Sequence, residues 1–226
     1  MIEPTTLKSQ TDGFEFTALH ASPEGARKGG VIVLQEVFGL DEAVRHDVAR
    51  WAGLGFEVIA PSLFDRQQRG FVADHNAEGL EIGLRYMAAN GDDNPISDVQ
   101  ACIDALKDKG PVFLVGYCYG GTVTWRAAAR TKGLAAASSY YGAGVAASAN
   151  MTLACPIICH FGAKDPYIAV AASVQAIAAA HPEVPVYVYA NSGHGFNNEG
   201  PDADPDDVRL ARERTLNFFE DNSSPD

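Results

Sequence analysis

The stretch Val112-Phe113-Leu114-Val115-Gly116-Tyr117-Cys118-Tyr119-Gly120-Gly121 decides the architecture. The apolar run Val112 to Val115 reads as a strand buried on both faces, the pattern of a parallel sheet covered by helices. The Ala-rich segment from Thr122 to Arg130 reads as a helix. Between them stands G-x-C-x-G, the spacing of a sharp strand-to-helix turn whose flanking positions must lack bulky side chains. Such a turn lifts the sulfur into solvent above the strand end, near a helix N-terminus whose dipole favours thiolate. Taken alone, a cysteine between glycines is also a small buried hydrophobe in a packing turn. The strand before it and the helix after it favour a nucleophile.

Outward from this turn, apolar runs alternate with helical patterns. Strands are expected at Phe14–Leu19, Val31–Leu34, Phe56–Ala60, Ala135–Tyr140, Pro156–Phe161 and Val184–Tyr189. Leu40, Val44, Val48 and Trp51 recur at helical spacing, closed by Gly53 and Gly55. Asn76 to Asn90 reads as a helix, and so do Ala169 to Ala180 and Asp206 to Asp221, the last with acid and proline at its start. Ile96, Val99, Ile103 and Leu106 mark one further helical face, with Ser97 or Asp98 near its start and Gly91 to Pro95 as a loop before it. The alternation predicts one α/β domain over residues 1–226, a mostly parallel sheet with helices on both faces.

At 226 residues with 46% hydrophobic content the chain has ample material for a core. Its 29 acidic against 17 basic residues give a net charge of −12, which repels phosphate backbones and anionic membranes. No nucleic acid and no membrane partner is expected. The N-terminus lacks a basic segment followed by an apolar run, and no stretch approaches the roughly 18 apolar residues of a spanning helix. Of the other cysteines, Cys102, Cys155 and Cys159 read as small buried hydrophobes. A soluble, monomeric, cytoplasmic protein with reduced thiols is the expectation.

A nucleophile needs a base and a group that orients the base. Asp165, in Ala163-Lys164-Asp165-Pro166, and His194, in Ser192-Gly193-His194-Gly195-Phe196, each follow an expected strand. Strand C-termini are where open α/β sheets place their sites. The order nucleophile, Asp, His and the G-x-S-x-G turn with cysteine for serine are those of the α/β-hydrolase fold. His20, His46, His75, His160 and His181 show no shared spacing with cysteine or carboxylate, and a zinc site through Cys155, Cys159 and His160 is disfavoured because those residues lie on a buried-looking strand. No metal and no cofactor is expected, and there is no G-x-x-x-x-G-K loop.

Gln35-Glu36-Val37-Phe38-Gly39, Gly116 to Gly121, Ser139-Tyr140-Tyr141-Gly142 and Gly193-His194-Gly195-Phe196 resemble the dienelactone hydrolases (carboxymethylenebutenolidases). Ala60 to Phe64 and Glu213-Arg214-Thr215-Leu216 with Phe218 and Phe219 fit the same pattern, so the resemblance spans nearly the whole chain. It implies a Cys118, His194 and Asp165 triad with Glu36 beside the thiol, accepting its hydrogen bond at rest and displaced when substrate binds. A carboxylate beside a thiol disfavours thiolate, which shields the resting cysteine from oxidants. The oxyanion hole implied is the backbone N–H of Val37 and Tyr119, each donor of this kind contributing roughly 3–4 kcal/mol. Tyr86 and Tyr141 are candidates for the substrate pocket.

The resemblance departs at one place. Relatives clamp a substrate carboxylate with two arginines, one of them four residues after the histidine, where this chain has Asn198. Candidates for the second are Arg66, Arg69 and Arg85, with Arg85 taken as substrate-binding. The resulting expectation is hydrolysis of a small lactone or activated ester through a thioester acyl-enzyme. The alternatives are a related acyl-transfer enzyme or thioesterase, and a catalytically silent small-molecule-binding module.

Overall fold

In a computed structural model the chain is described over residues 1–200 and 203–223. Among these residues eight strands form one sheet: β1 (Ile2–Lys8), β2 (Glu15–Ala21), β3 (Gly29–Leu34), β4 (Phe56–Pro61), β5 (Val112–Tyr117), β6 (Ala136–Tyr140), β7 (Ile157–Gly162) and β8 (Val186–Tyr189). Their order is β1-β2-β4-β3-β5-β6-β7-β8. β1 with β2 and β2 with β4 run antiparallel, and every pair from β4 through β8 is parallel. Every residue of β3 and β5 is buried, which is why both read as unbroken apolar runs.

The helices are α1 (Glu42–Gly53), α2 (Ala77–Asn90), α3 (Asp93–Leu106), α4 (Tyr119–Arg130), α5 (Val145–Ser148), α6 (Val170–Ala180) and α7 (Pro205–Asp221). Their ends follow side-chain chemistry. Asp41 caps α1 by accepting from the Val44 N–H, Asn76 caps α2 through Gly79, and Asp204 caps α7 through Asp206 and Asp207, with Pro205 in the first turn. Phe113 on β5 stacks on Phe219 of α7 at 4.7 Å, and Trp51 of α1 meets both Phe219 and Phe56 of β4 at 5.4 Å. Each such ring contributes roughly 1.5–3 kcal/mol by burial, so this cluster fastens α1 and α7 to one face of the sheet.

Several expectations need correction. No element is expected over Ile2–Lys8, yet these residues add the antiparallel edge strand β1. The stretch Gly91 to Pro95 is a loop only at Gly91 and Asp92. Asp93, Asn94 and Pro95 form the first turn of α3, where a proline's missing N–H has no helical acceptor to lose. Ser97 and Asp98 therefore lie inside the helix and do not open it. Helix α4 begins at Tyr119 and not at Thr122, so Gly120 and Gly121 lie in its first turn, where a side chain on either would meet backbone. Cys102 and Cys159 are buried, whereas Cys155 is only half-buried.

The lesser histidines do sit beside carboxylates: His20 with Glu57, His46 with Glu42 one turn away, His75 with Asp41 and His181 with Glu183. His160 is the exception. It is fully buried beneath the strand ends, with Nδ1 2.8 Å from Tyr189 Oη and Nε2 3.2 Å from Thr215 Oγ1. Burial pushes its pKa down to about 3, so it packs as a neutral ring with both nitrogens engaged. No described helix is long and apolar enough to cross a membrane.

Candidate active site

Sheet register brings the candidate residues together. Leu34 of β3 lies opposite Gly116 of β5, so Glu36 and Cys118, each two residues further on, leave adjacent strands at the same level. Tyr117 lies opposite Tyr140 of β6, which sets Tyr141 beside Cys118 on the other side. Asp165 follows β7, and His194 follows β8. β3 is also where the chain order reverses, toward β4 on one side and β5 on the other, the switch point at which open α/β sheets bind ligands.

The cysteine turn is held by close contacts. Cys118 adopts φ 52° and ψ −110°, a backbone state costing a non-glycine residue about 1–3 kcal/mol. A Cβ on Gly116 would lie 2.2 Å from the Gly120 carbonyl oxygen, and one on Gly120 would lie 2.6 Å from that of Gln35. These contacts exclude any side chain and let the Gly120 N–H donate to Gln35 O at 3.0 Å. Gln35 in turn donates from Nε2 to the Glu36 carbonyl and accepts from the Leu63 N–H. The loop after β3 is thereby tied to the turn after β5.

His194 Nδ1 lies 2.7 Å from Asp165 Oδ2. Asp165 is itself fixed, because its Oδ1 accepts from the backbone N–H groups of Tyr167 and Ile168 at 2.8 and 3.1 Å. Nε2 of His194 has no protein partner among the described residues. Glu36 is buried, with Oε1 4.0 Å from where a Cβ on Gly195 would stand, so it borders the histidine loop. Burial pushes the Glu36 carboxyl up, while the His194 and His75 charges and the Tyr141 hydroxyl oppose the shift. Glu36 Oε1 and Tyr141 Oη are nevertheless both buried without a hydrogen bond of good geometry.

The thiol does not match its sequence expectation. Cys118 is half-buried and does not stand in open solvent. Burial first, and the Glu36 charge second, raise its pKa above the ordinary thiol range, against the lowering effect of the Tyr119 N–H. Desolvation thus outweighs the helix terminus, and this setting disfavours thiolate. Tyr119 is the first residue of α4, so its N–H has no intrahelical acceptor, and the Val37 N–H makes no backbone hydrogen bond among the described residues. The Tyr119 side chain points away, its ring stacked on Phe64 at 5.4 Å and its hydroxyl 3.2 Å from Asn90.

Of the substrate-pocket candidates, Tyr141 is fully buried with its ring 5.0 Å from that of His194. Asn198 is half-buried on the short turn after His194, its N–H donating to Gly195. Tyr86 rests its ring against Phe64 and Phe71 and donates to Gln68 at 2.7 Å. Arg66 is committed elsewhere, 2.6 Å from the buried Asp98 and also bound to Asp12. Arg69 reaches Asp65 and the Glu15 carbonyl. Arg85 is exposed over the Tyr86 ring and makes no ion pair among the described residues. Residues without a sequence expectation also reach the site. Tyr167, 71% exposed, stands edge-on to His194 at 5.3 Å, signalled only by its place after Asp165-Pro166. Two concavities of about 490 and 480 Å³, between α1 and α7 and beside α2, include neither Cys118 nor His194, so chemistry and not concavity locates the site. Among the described residues no three His, Cys, Asp or Glu side chains are grouped to hold a metal ion.

Comparison with known proteins gives the family. Residues 16–223 match the model of the dienelactone hydrolase family. The chain belongs to the dienelactone hydrolase family. It is 31% identical to the carboxymethylenebutenolidase of Pseudomonas putida over 221 residues, 92% of each chain. It is likewise 31% identical to a putative carboxymethylenebutenolidase of Escherichia coli K12, covering 85% of this chain and 76% of that one. Among solved structures, a putative dienelactone hydrolase from Klebsiella pneumoniae superposes with a TM-score of 0.82 at 26% identity, covering 97% of this chain and 99% of that chain. As a dienelactone hydrolase family member with the α/β-hydrolase fold, the protein is a carboxylic ester hydrolase.

Proposed function

We propose that this chain hydrolyses a small lactone or activated carboxylic ester through Cys118 and a thioester acyl-enzyme. The observation that carries this reading is the His194–Asp165 bond of 2.7 Å, which fixes the imidazole with Nε2 free at the strand ends that also present Cys118. In this reading substrate displaces Glu36, the Cys118 thiol passes its proton to His194 Nε2, and the thiolate attacks the ester carbonyl carbon. The developing oxyanion is received by the Val37 and Tyr119 N–H groups. Collapse breaks the C–O bond, and the leaving alkoxide takes a proton from His194 Nε2. His194 then removes a proton from water as the hydroxide oxygen attacks the thioester carbon; collapse breaks the C–S bond, releases the acid, and the departing sulfur takes the proton back from His194 Nε2. Asp165 keeps the imidazole oriented and stabilises its charged form.

The test is alkylation. One equivalent of iodoacetamide is expected to label Cys118, mapped by peptide mass, and to abolish turnover of p-nitrophenyl acetate. Because the Glu36 charge raises the thiol pKa, Glu36→Gln should move the alkylation pH profile toward lower pH, with faster labelling at any fixed pH below the inflection. A labelled enzyme that keeps turning over overturns the nucleophile. A profile that stays in place or moves to higher pH overturns the role of Glu36.

The substrate reading follows from Asn198, which offers one amide where an arginine offers a charged two-pronged donor. A charge-assisted hydrogen bond is worth roughly 1.5–3 kcal/mol, about ten- to hundred-fold in binding. With Arg66 and Arg69 engaged elsewhere, Arg85 is the arginine left for a substrate carboxylate. We therefore expect a weak preference for carboxylate-bearing lactones over neutral esters. Asn198→Arg should lower KM for an acid substrate and leave its methyl ester nearly unchanged. A wild-type preference for the acid above about a hundred-fold contradicts this, since it exceeds what one such contact supplies.

A further inference from the structure

A second His–Asp pair also acts on Glu36. His75 Nε2 is 2.6 Å from Asp41 Oδ2, while Asp41 Oδ1 caps α1 by accepting from the Val44 N–H at 3.0 Å. The His75 ring lies nearly flat on Phe38, with centroids 3.9 Å apart and planes at 19°. Phe38 directly follows Glu36 and Val37. The segment that ends at His75 is laced to the segment that starts at Glu36. The Ala73 N–H donates to the Phe38 carbonyl at 3.0 Å, and Val72 bridges Gly39 antiparallel.

The seam is tight where side chains are absent. Gly39 has φ 84°, and a Cβ there would stand 2.0 Å from the Phe71 carbonyl oxygen. On the far side α2 presses on the same loop, because a Cβ on Gly83 would stand 2.1 Å from the Val37 carbonyl oxygen. Val37 is thus gripped through its carbonyl by α2 and through its neighbour Phe38 by the His75 segment. The His75 side chain is 45% exposed, so it adds little to the core, and its stacking partner Phe38 is the neighbour of the oxyanion donor Val37.

We propose that His75 is a positioning residue for the ester hydrolysis inferred above: stacked on Phe38 and tied to Asp41, it holds the Glu36–Val37 segment in register with Cys118. The proposal rests on the Cys118 reading. The stack touches Phe38 itself, and Asp41 orients the ring. Loss of the ring frees the loop to shift, and a misplacement of about 1 Å in a reacting geometry costs on the order of a hundred-fold in rate.

The test measures kcat and KM for p-nitrophenyl acetate on wild type, His75→Ala, His75→Phe and Cys118→Ala, with thermal melting of each. His75→Ala is expected to lower kcat ten- to hundred-fold with KM within about threefold. His75→Phe keeps the flat contact and loses only the Asp41 bond, so its kcat should return to within about fivefold of wild type. A His75→Ala protein with normal kcat overturns the proposal, whatever its melting temperature. So does a His75→Phe protein that folds and is as slow as His75→Ala, or, if His75→Ala does not fold, one slower than wild type by more than about tenfold. In these cases an inactive Cys118→Ala leaves the nucleophile reading standing. A fully active Cys118→Ala overturns the nucleophile and, with it, the role of His75.

Discussion

Cys118→Ala is expected to reduce hydrolysis of activated esters by at least about 10⁴-fold, the scale at which loss of a nucleophile leaves only binding and oxyanion contributions. The fold should survive, because alanine keeps the Cβ and the backbone of the turn, and the φ of 52° is imposed by Gly116 and Gly120 packing on either side. Removing a strained, non-glycine thiol leaves the strain in place but not the chemistry. Cys102→Ala, Cys155→Ala and Cys159→Ala should keep turnover, with a cost to stability at Cys102 and Cys159, which are buried in the core. The measurement is kcat with p-nitrophenyl acetate beside a melting curve for each variant. Near-normal kcat in Cys118→Ala would contradict the mechanism.

His194→Ala should lower kcat by several orders of magnitude, since it removes the group proposed to move protons in both half-reactions. Asp165→Asn should cost a comparable or smaller factor. An amide in place of the carboxylate that lies 2.7 Å from Nδ1 can select the wrong tautomer and no longer stabilises imidazolium. Its Oδ1 would still accept from the Tyr167 and Ile168 N–H groups, so the loop should hold its shape. Equal and small losses in both variants would contradict the pairing of roles.

Much of this was readable in the sequence because local rules and global fold agree here. Gly116 and Gly120 signal the turn, and the apolar run before them signals a strand buried on both faces. Asp165 and His194 are legible because each follows a strand, and strand ends converge whatever the details of the loops. The placement of Glu36 beside Cys118 needed the register Leu34 to Gly116, which no local pattern encodes. β1 was missed because Ile2, Thr5 and Leu7 are only half-buried, so an edge strand shows little of the hydrophobic pattern that marks the central ones. Asp93 to Pro95 looked like a loop because proline usually breaks helices, and its exemption in a first turn depends on where the helix starts. The pair His75 and Asp41 is separated by 34 residues, and two loops must fold onto each other before it exists. The fate of Arg66 was equally hidden, since its partner Asp98 lies on a different element and is wholly buried.

The central claim is a covalent acyl group on Cys118. Enzyme quenched in acid during turnover of p-nitrophenyl acetate, and analysed by intact mass and peptide mapping, should carry one acetyl group on the peptide containing Cys118, absent from Cys118→Ala. An enzyme that turns over while no acyl group is ever found on Cys118, or that carries it on another residue, would contradict the account.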